Sequence, residues 1–217
     1  MSLDWHTLVA GMSDVMKLVH LASRMDTVDE EEWRSTFLRE RRRAYEDELT
    51  IQARRAGCNS RRGRLAEGPI LSALNDASRT DAQSVVNTFN YYLAAAIIRI
   101  HDEVPTANRY VYARRLAAWA PTYWSWKQPQ IDQMTDGTAR ARAQTDFYQH
   151  NGQFGTAKLL PRTAVCPVCL GWIARGVVPL RVALQYPPPY HPNCPHYWST
   201  RPDKIAKEDC ANLWMGE

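Results

Sequence analysis

Nine of the thirteen prolines lie beyond the Asn151-Gly152 pair, at 161, 167, 179, 187, 188, 189, 192, 195 and 202. Proline removes a backbone donor and clashes with the preceding helical turn, so no long helix fits in this tail. Residues 151–217 therefore read as a compact, irregular extension, and a segment so poor in regular structure needs a staple.

The staple is written into the same stretch. Cys166-Pro167-Val168-Cys169 is a Cys-x2-Cys turn, and His191-Pro192-Asn193-Cys194-Pro195-His196 follows it after 21 intervening residues. Zinc takes four Cys or His ligands in a closed tetrahedral site, and this segment offers five: Cys166, Cys169, His191, Cys194 and His196. The three cysteines form the firm set. His191 is favoured as the fourth ligand because His-x2-Cys mirrors the first spacing, with His196 as competitor or supporting donor. No acidic residue lies between Cys166 and His196 to act as a general base, so the metal is read as structural and the protein as non-catalytic. A redox Cys-x-x-Cys would want a strand before it and a helix after it, a frame not visible here.

Ahead of the tail, residues 1–150 read as a helical body. Periodic apolar positions predict helices over residues 4–24, 28–56, 70–75, 80–102, 108–126 and 131–150. Gly57 is the expected stop of the second of these, Asp81 a cap, and Pro121, Pro129 and Gly137 the expected kinks or breaks. The fold class is thus mainly α, with a small irregular α+β module stapled by zinc at the C-terminus. No run of apolar residues reaches the length of a membrane span.

Charge is nearly balanced, 27 Lys and Arg against 23 Asp and Glu, which argues against strong overall affinity for nucleic acid. Its distribution is uneven. Arg39, Arg41, Arg42, Arg43, Arg54, Arg55, Arg61, Arg62 and Arg64 form a basic stripe, read first as a solvated face. The sharper reading makes Arg61, Arg62 and Arg64, on a mobile loop, contacts for DNA phosphate or for an acidic partner. The band of Trp119, Trp124 and Trp126 with Tyr110, Tyr112 and Tyr123 is read as core filler, with an oligomer contact as the alternative. Trp172, Tyr186, Tyr190, Tyr197 and Trp198 are expected to wrap the metal loops. Five cysteines, three of them clustered, favour metal ligation in a reducing compartment, with Cys58 and Cys210 as lone thiols. The N-terminus lacks the basic start of a secretion signal, so the chain is read as made in a cytosol.

The stretch Ala143 to Gly152, then Cys166-Pro167-Val168-Cys169-Leu170 with Gly176, then Pro188-Pro189-Tyr190-His191-Pro192-Asn193-Cys194-Pro195-His196, resembles the C-terminal region of the Mu F-like phage head-morphogenesis, or minor capsid, family. The resemblance covers roughly residues 139–203. His196 stands where that family closes on a cysteine, and Pro195 where it has an arginine. The resemblance implies a virion protein made in the bacterial cytoplasm and seated near the portal vertex or neck. Its implied partners are portal, capsid or connector proteins and packaged DNA. The alternative is a zinc-containing DNA-binding protein or nuclease.

Overall fold

The structure, a computed structural model, describes residues 30–152, 155–162, 164, 166–189 and 194–216. The helix expected over residues 4–24 lies outside the described residues. Three long helices, α1 (Glu30–Arg55), α2 (Pro69–Glu103) and α3 (Arg109–Asn151), precede a small sheet with short helices. Its elements are β1 (Gly155–Leu160), α4 (Pro167–Arg175), β2 (Val177–Pro179), α5 (Leu180–Ala183), β3 (Tyr197–Pro202) and a closing 3₁₀ turn, Lys207–Asn212. The architecture is mainly α with an α+β module at the C-terminal end.

α1 begins on three glutamates and ends on Arg54 and Arg55, both favourable to the helix dipole. Gly57, at φ 102°, donates to Arg54 O while Cys58 donates to Ala53 O. That pair of bonds is a Schellman stop, and it requires the left-handed conformation glycine adopts without strain.

α2 is continuous where two helices were expected. No glycine or proline interrupts it after Pro69, and Leu74, Ser78, Ala82 and Val85 are buried along one side through the polar junction. Thr80, at that junction, turns its hydroxyl back onto Asp76 O. α3 is likewise one helix of 43 residues despite Pro121 and Pro129. Its N-cap is Asn108, whose Oδ1 accepts from the backbone N–H groups of Tyr110 and Val111. The two prolines deprive the carbonyls of Ala117 and Ser125 of their helical donors, and all four residues lie on the exposed side. Water can take over both bonds, so the helix continues.

The described chain divides into two compact units, residues 30–37 with Asp76–Pro129, and Leu38–Asn75 with residues 130–216. The division differs from the expected boundary at residue 150, because each long helix contributes one part to each unit. In the first unit Phe89, Leu93 and Ile97 of α2 meet Tyr112, Leu116 and Tyr123 of α3, with Trp33, Trp119 and Trp124 against them. Tyr110 and Trp126, from the same aromatic band, are exposed.

In the second unit the sheet runs β2-β1-β3, antiparallel throughout. Ala157 pairs with Thr200 and Leu159 with Trp198, so alternate residues of both strands face inward. They pack on Tyr45, Leu49 and Ala53 of α1 and on Ala143 and Phe147 of α3.

Candidate metal centre

The irregular tail is shaped by what it must bring together. Pro167 opens α4 with its ring at the first helical position, where the missing N–H costs nothing, and Cys166 is the N-cap. Cys169 is then one turn inside the helix. An N-cap side chain and the third helical residue face each other, which is why a Cys-x2-Cys placed here points both sulfurs the same way. The Cys166 thiol engages that of Cys169.

Cys194 and His196 arrive from the chain entering β3. Cys169 Sγ lies 3.8 Å from Cys194 Sγ, and Cys194 Sγ lies 3.6 Å from His196 Nδ1. All three ligand atoms fall within 4.8 Å of one another, and all three residues are buried. A tetrahedral ion with Zn–S bonds of about 2.3 Å and a Zn–N bond of about 2.0–2.1 Å sets an S···S edge of about 3.8 Å and an S···N edge of about 3.6 Å. The Cys169–Cys194 and Cys194–His196 edges therefore match the spacing of a tetrahedral site. Soft sulfur and imidazole donors suit zinc and disfavour magnesium or calcium.

Of the five sequence candidates, the structure gathers Cys169, Cys194 and His196, with Cys166 adjoining through Cys169. His191, the favoured histidine, lies outside the described residues. The chain segment between ligands is held from behind: Gln133 of α3 donates to the carbonyl of Cys194. Burial pushes the Cys169 thiol up to about 12, helped by the neighbouring thiols of Cys194 and Cys166. A cation at this point reverses that balance by drawing off the protons.

Aromatic packing closes one side. Trp172 meets Trp198 edge-on at 5.4 Å, and the Trp198 indole N–H donates to Tyr186 O. The Arg175 guanidinium sits 4.4 Å above the Trp172 ring. Tyr186 and Tyr197 are about half exposed and cover less than expected, while Tyr190 lies outside the described residues.

On another side Cys194 and His196 border a cavity of about 390 Å³ shared with Glu48, Asp136, Arg140 and Gln144. Sequence reasoning found no acidic group for this site because Glu48 comes from α1, far away in the chain. Its oxygens are already engaged, taking Gln144 Nε2 at 2.8 Å, Gln52 Nε2 at 2.5 Å and Arg140 at 3.4 Å. The network extends through Gln52 to Tyr148 and Thr200, and Gln144 also donates to Trp198 O. It ties α1 and α3 to the strand that follows the ligands.

The arginine loop is fastened to the rest of its unit through Arg61 and its backbone. Arg61 donates to Leu213 O and Arg62 to the carbonyls of Asn59 and Arg61. Backbone bonds from Gly63 to Thr50 Oγ1, from Leu65 to Glu46 Oε1 and from Arg64 to Met215 O fasten the segment expected to be mobile. The expectation of two lone thiols is corrected here as well: Cys58 and Cys210 form a disulfide. The tail makes that possible by folding back, with Ile205 N–H donating to Ala56 O and the 3₁₀ turn following. No family model, no curated protein and no solved structure matches the chain.

Proposed function

We propose that the chain is a non-catalytic structural protein of a tailed-phage particle, stapled by one zinc ion on Cys166, Cys169, Cys194 and His196. The observation that carries the metal is the pair of ligand spacings, 3.8 Å and 3.6 Å, among buried donors from two separate segments. Two buried thiols, a half-buried third and a ring without a cation would be a weak way to hold a proline-laden tail together. With one, the free energy of binding becomes free energy of folding.

The phage assignment is supported by the order of residues that resemble the Mu F-like C-terminal region. Their arrangement suits a scaffold role: Gln144, Asp146 and Tyr148 are buried and bonded, and both Glu48 oxygens accept structural hydrogen bonds from Gln52, Gln144 and Arg140. The disulfide suits a particle that leaves a reducing cytosol for an oxidising exterior. A DNA-binding or nuclease role fits less well, since Arg61 is committed to the Leu213 carbonyl and the loop backbone is tied to Thr50, Glu46 and Met215.

Two measurements test the reading separately. Elemental analysis of purified protein gives about one zinc per chain if the site is as assigned. Co-expression with portal and capsid proteins, followed by particle purification, retains the chain in the particle at low copy number. A metal-dependent nuclease activity that survives stringent purification would sink the structural role while leaving the zinc in place.

A further inference from the structure

The last stretch of the chain is fastened at both ends and almost free between them. On one side Ile205 N–H donates to Ala56 O and Lys204 Nζ to Arg55 O. On the other Leu213 and Met215 are buried, Arg64 N–H donates to Met215 O, and Asn151 exchanges two bonds with the backbone of Trp214. Residues 206–212, which contain the whole 3₁₀ turn, lie between these anchors. The turn bonds internally, Asp209 N–H to Ala206 O, and six of the seven residues are exposed. Among the described residues no hydrogen bond or ion pair ties them to the body of the unit. Cys210 alone packs on the core, and its bond to Cys58 is the turn's one firm attachment.

The two sulfurs of that bond are unequally placed. Cys58, at the end of α1, is 2% exposed and belongs to the core with Leu65 and Leu213. Cys210 is half-buried on the outer turn, its Sγ in an exposed position 3.6 Å from Ala206 O. Thiol–disulfide exchange proceeds by attack of a thiolate on one sulfur, so access decides which sulfur is attacked.

We propose that Cys58–Cys210 is a thiol-exchange latch on residues 206–212, opened and closed by low-molecular-weight thiols and their disulfides, which enter at Cys210. In opening, a small thiolate attacks Cys210 Sγ and the bond to Cys58 breaks. Cys58 leaves with the electron pair and takes a proton from solvent, while Cys210 is left as a mixed disulfide. A second small thiolate attacks the small molecule's own sulfur, and Cys210 leaves in turn and is protonated. Two small thiols are thereby oxidised to their disulfide, and the protein disulfide is reduced to two thiols. Closing is the reverse: a small disulfide caps Cys210, and Cys58 displaces the cap.

The anchors make this a local event. Residues 206–212 hold to the unit only through Cys210, so they can move out as a loop with both ends fixed while Leu213 and Met215 stay packed. Openings of that kind, well short of global unfolding, are the ones that reagents and proteases exploit in a native chain. The inference depends neither on the metal nor on the phage reading.

The test uses the full chain equilibrated with mixtures of reduced and oxidised glutathione. Alkylation and peptide mass mapping read the state of Cys58 and Cys210, the helical signal reads the fold, and trypsin cleavage after Lys207 reads the turn. The expected result is a pair that passes from oxidised to reduced within millimolar glutathione with the helical signal unchanged. Cleavage after Lys207 should be at least about tenfold faster in the reduced chain. In Cys58→Ser, oxidised glutathione should cap Cys210; in Cys210→Ser, capping of Cys58 should be at least about tenfold slower. A pair that stays oxidised at every ratio, or opens only as the helical signal is lost, overturns the latch, as does cleavage that ignores the redox state. Capping of Cys58 as fast as that of Cys210 overturns the entry point. The wild-type readings decide the latch even where a serine variant fails to fold.

Discussion

Cys58 and Cys210, 152 positions apart, are joined by a disulfide, which leaves Cys166, Cys169 and Cys194 as the three reduced thiols of the chain. The five cysteines thus serve two unlike chemistries: an oxidised pair that closes the tail onto the α1–α2 loop, and a reduced trio at the candidate metal centre.

The disulfide closes a loop of more than 150 residues, and on the chain-entropy model a link of that span stabilises by about 5 kcal/mol. Replacing both cysteines by serine should lower the urea midpoint accordingly, and reductant should move the wild type towards the same value. Identical midpoints with and without reductant would mean that the bond contributes nothing to the fold.

Cys169 ties metal affinity to pH. Its folded thiol is pushed up to about 12, above its usual value of 9.0, so without metal it keeps its proton from pH 6 to 8. Zinc must release that proton to bind. Affinity should therefore climb by at least about tenfold per pH unit through this range, measured by chelator competition. The same raised value makes the metal-free fold stable below about pH 9 and progressively weaker above it, because only the unfolded thiol then ionises readily. Cys169→Ser should abolish binding. An affinity that stays flat with pH would exclude Cys169 as a ligand.

How much of this was written in the order of residues depends on distance along the chain. The Schellman stop at Gly57 needs only the local pattern of a helix, a basic last turn and a glycine. The pairing of Cys166 with Cys169 needs one turn of helix. By contrast, continuity of α3 through Pro121 and Pro129 depended on which side of the helix faces water, and continuity of α2 past Asn75 depended on Ser78 being buried by tertiary contacts. Glu48 beside the metal cavity and Cys210 beside Cys58 are products of long-range folding. His196 joins the described cluster for the same reason: spacing in sequence orders ligands along the chain, while the entry of β3 fixes where Cys194 and His196 point.

Tyr45 and Asp146 make a buried pair, 2.8 Å apart, with the phenol donating to the carboxylate. Burial, then the bond to Asp146, raises the Tyr45 pKa far above its normal value, so the hydroxyl stays a donor. Arg142, half exposed, holds the same carboxylate at 2.8 Å from one turn earlier. Tyr45→Phe should cost about 1.5–3 kcal/mol, the range for a hydrogen bond to a charged group. Tyr91→Phe, on the exposed face, should cost almost nothing. A neutral result for Tyr45→Phe in denaturant titration would show that Arg142 alone satisfies Asp146.

The arginine loop supplies the test that separates structure from nucleic-acid contact. Gly63 sits so close to α1 that a Cβ there would lie 2.2 Å from Glu46 O and 2.8 Å from Leu49 Cβ. Both obstacles belong to a buried helix side that cannot retreat, so Gly63→Ala should cost on the order of 3 kcal/mol or more, as overpacking against backbone does. Arg61→Ala should also destabilise, by about 1–2 kcal/mol, because the Leu213 carbonyl loses its donor. Arg62 and Arg64 are exposed, and their replacement by alanine should change the midpoint by no more than about 0.5 kcal/mol. If those two exposed arginines nonetheless set retention on DNA at low salt, their loss should lower it and flatten its salt dependence. Unchanged retention together with a destabilised Arg61→Ala would make the loop a structural clamp on the tail, which is what its bonds to Thr50, Glu46 and Met215 already make of its backbone.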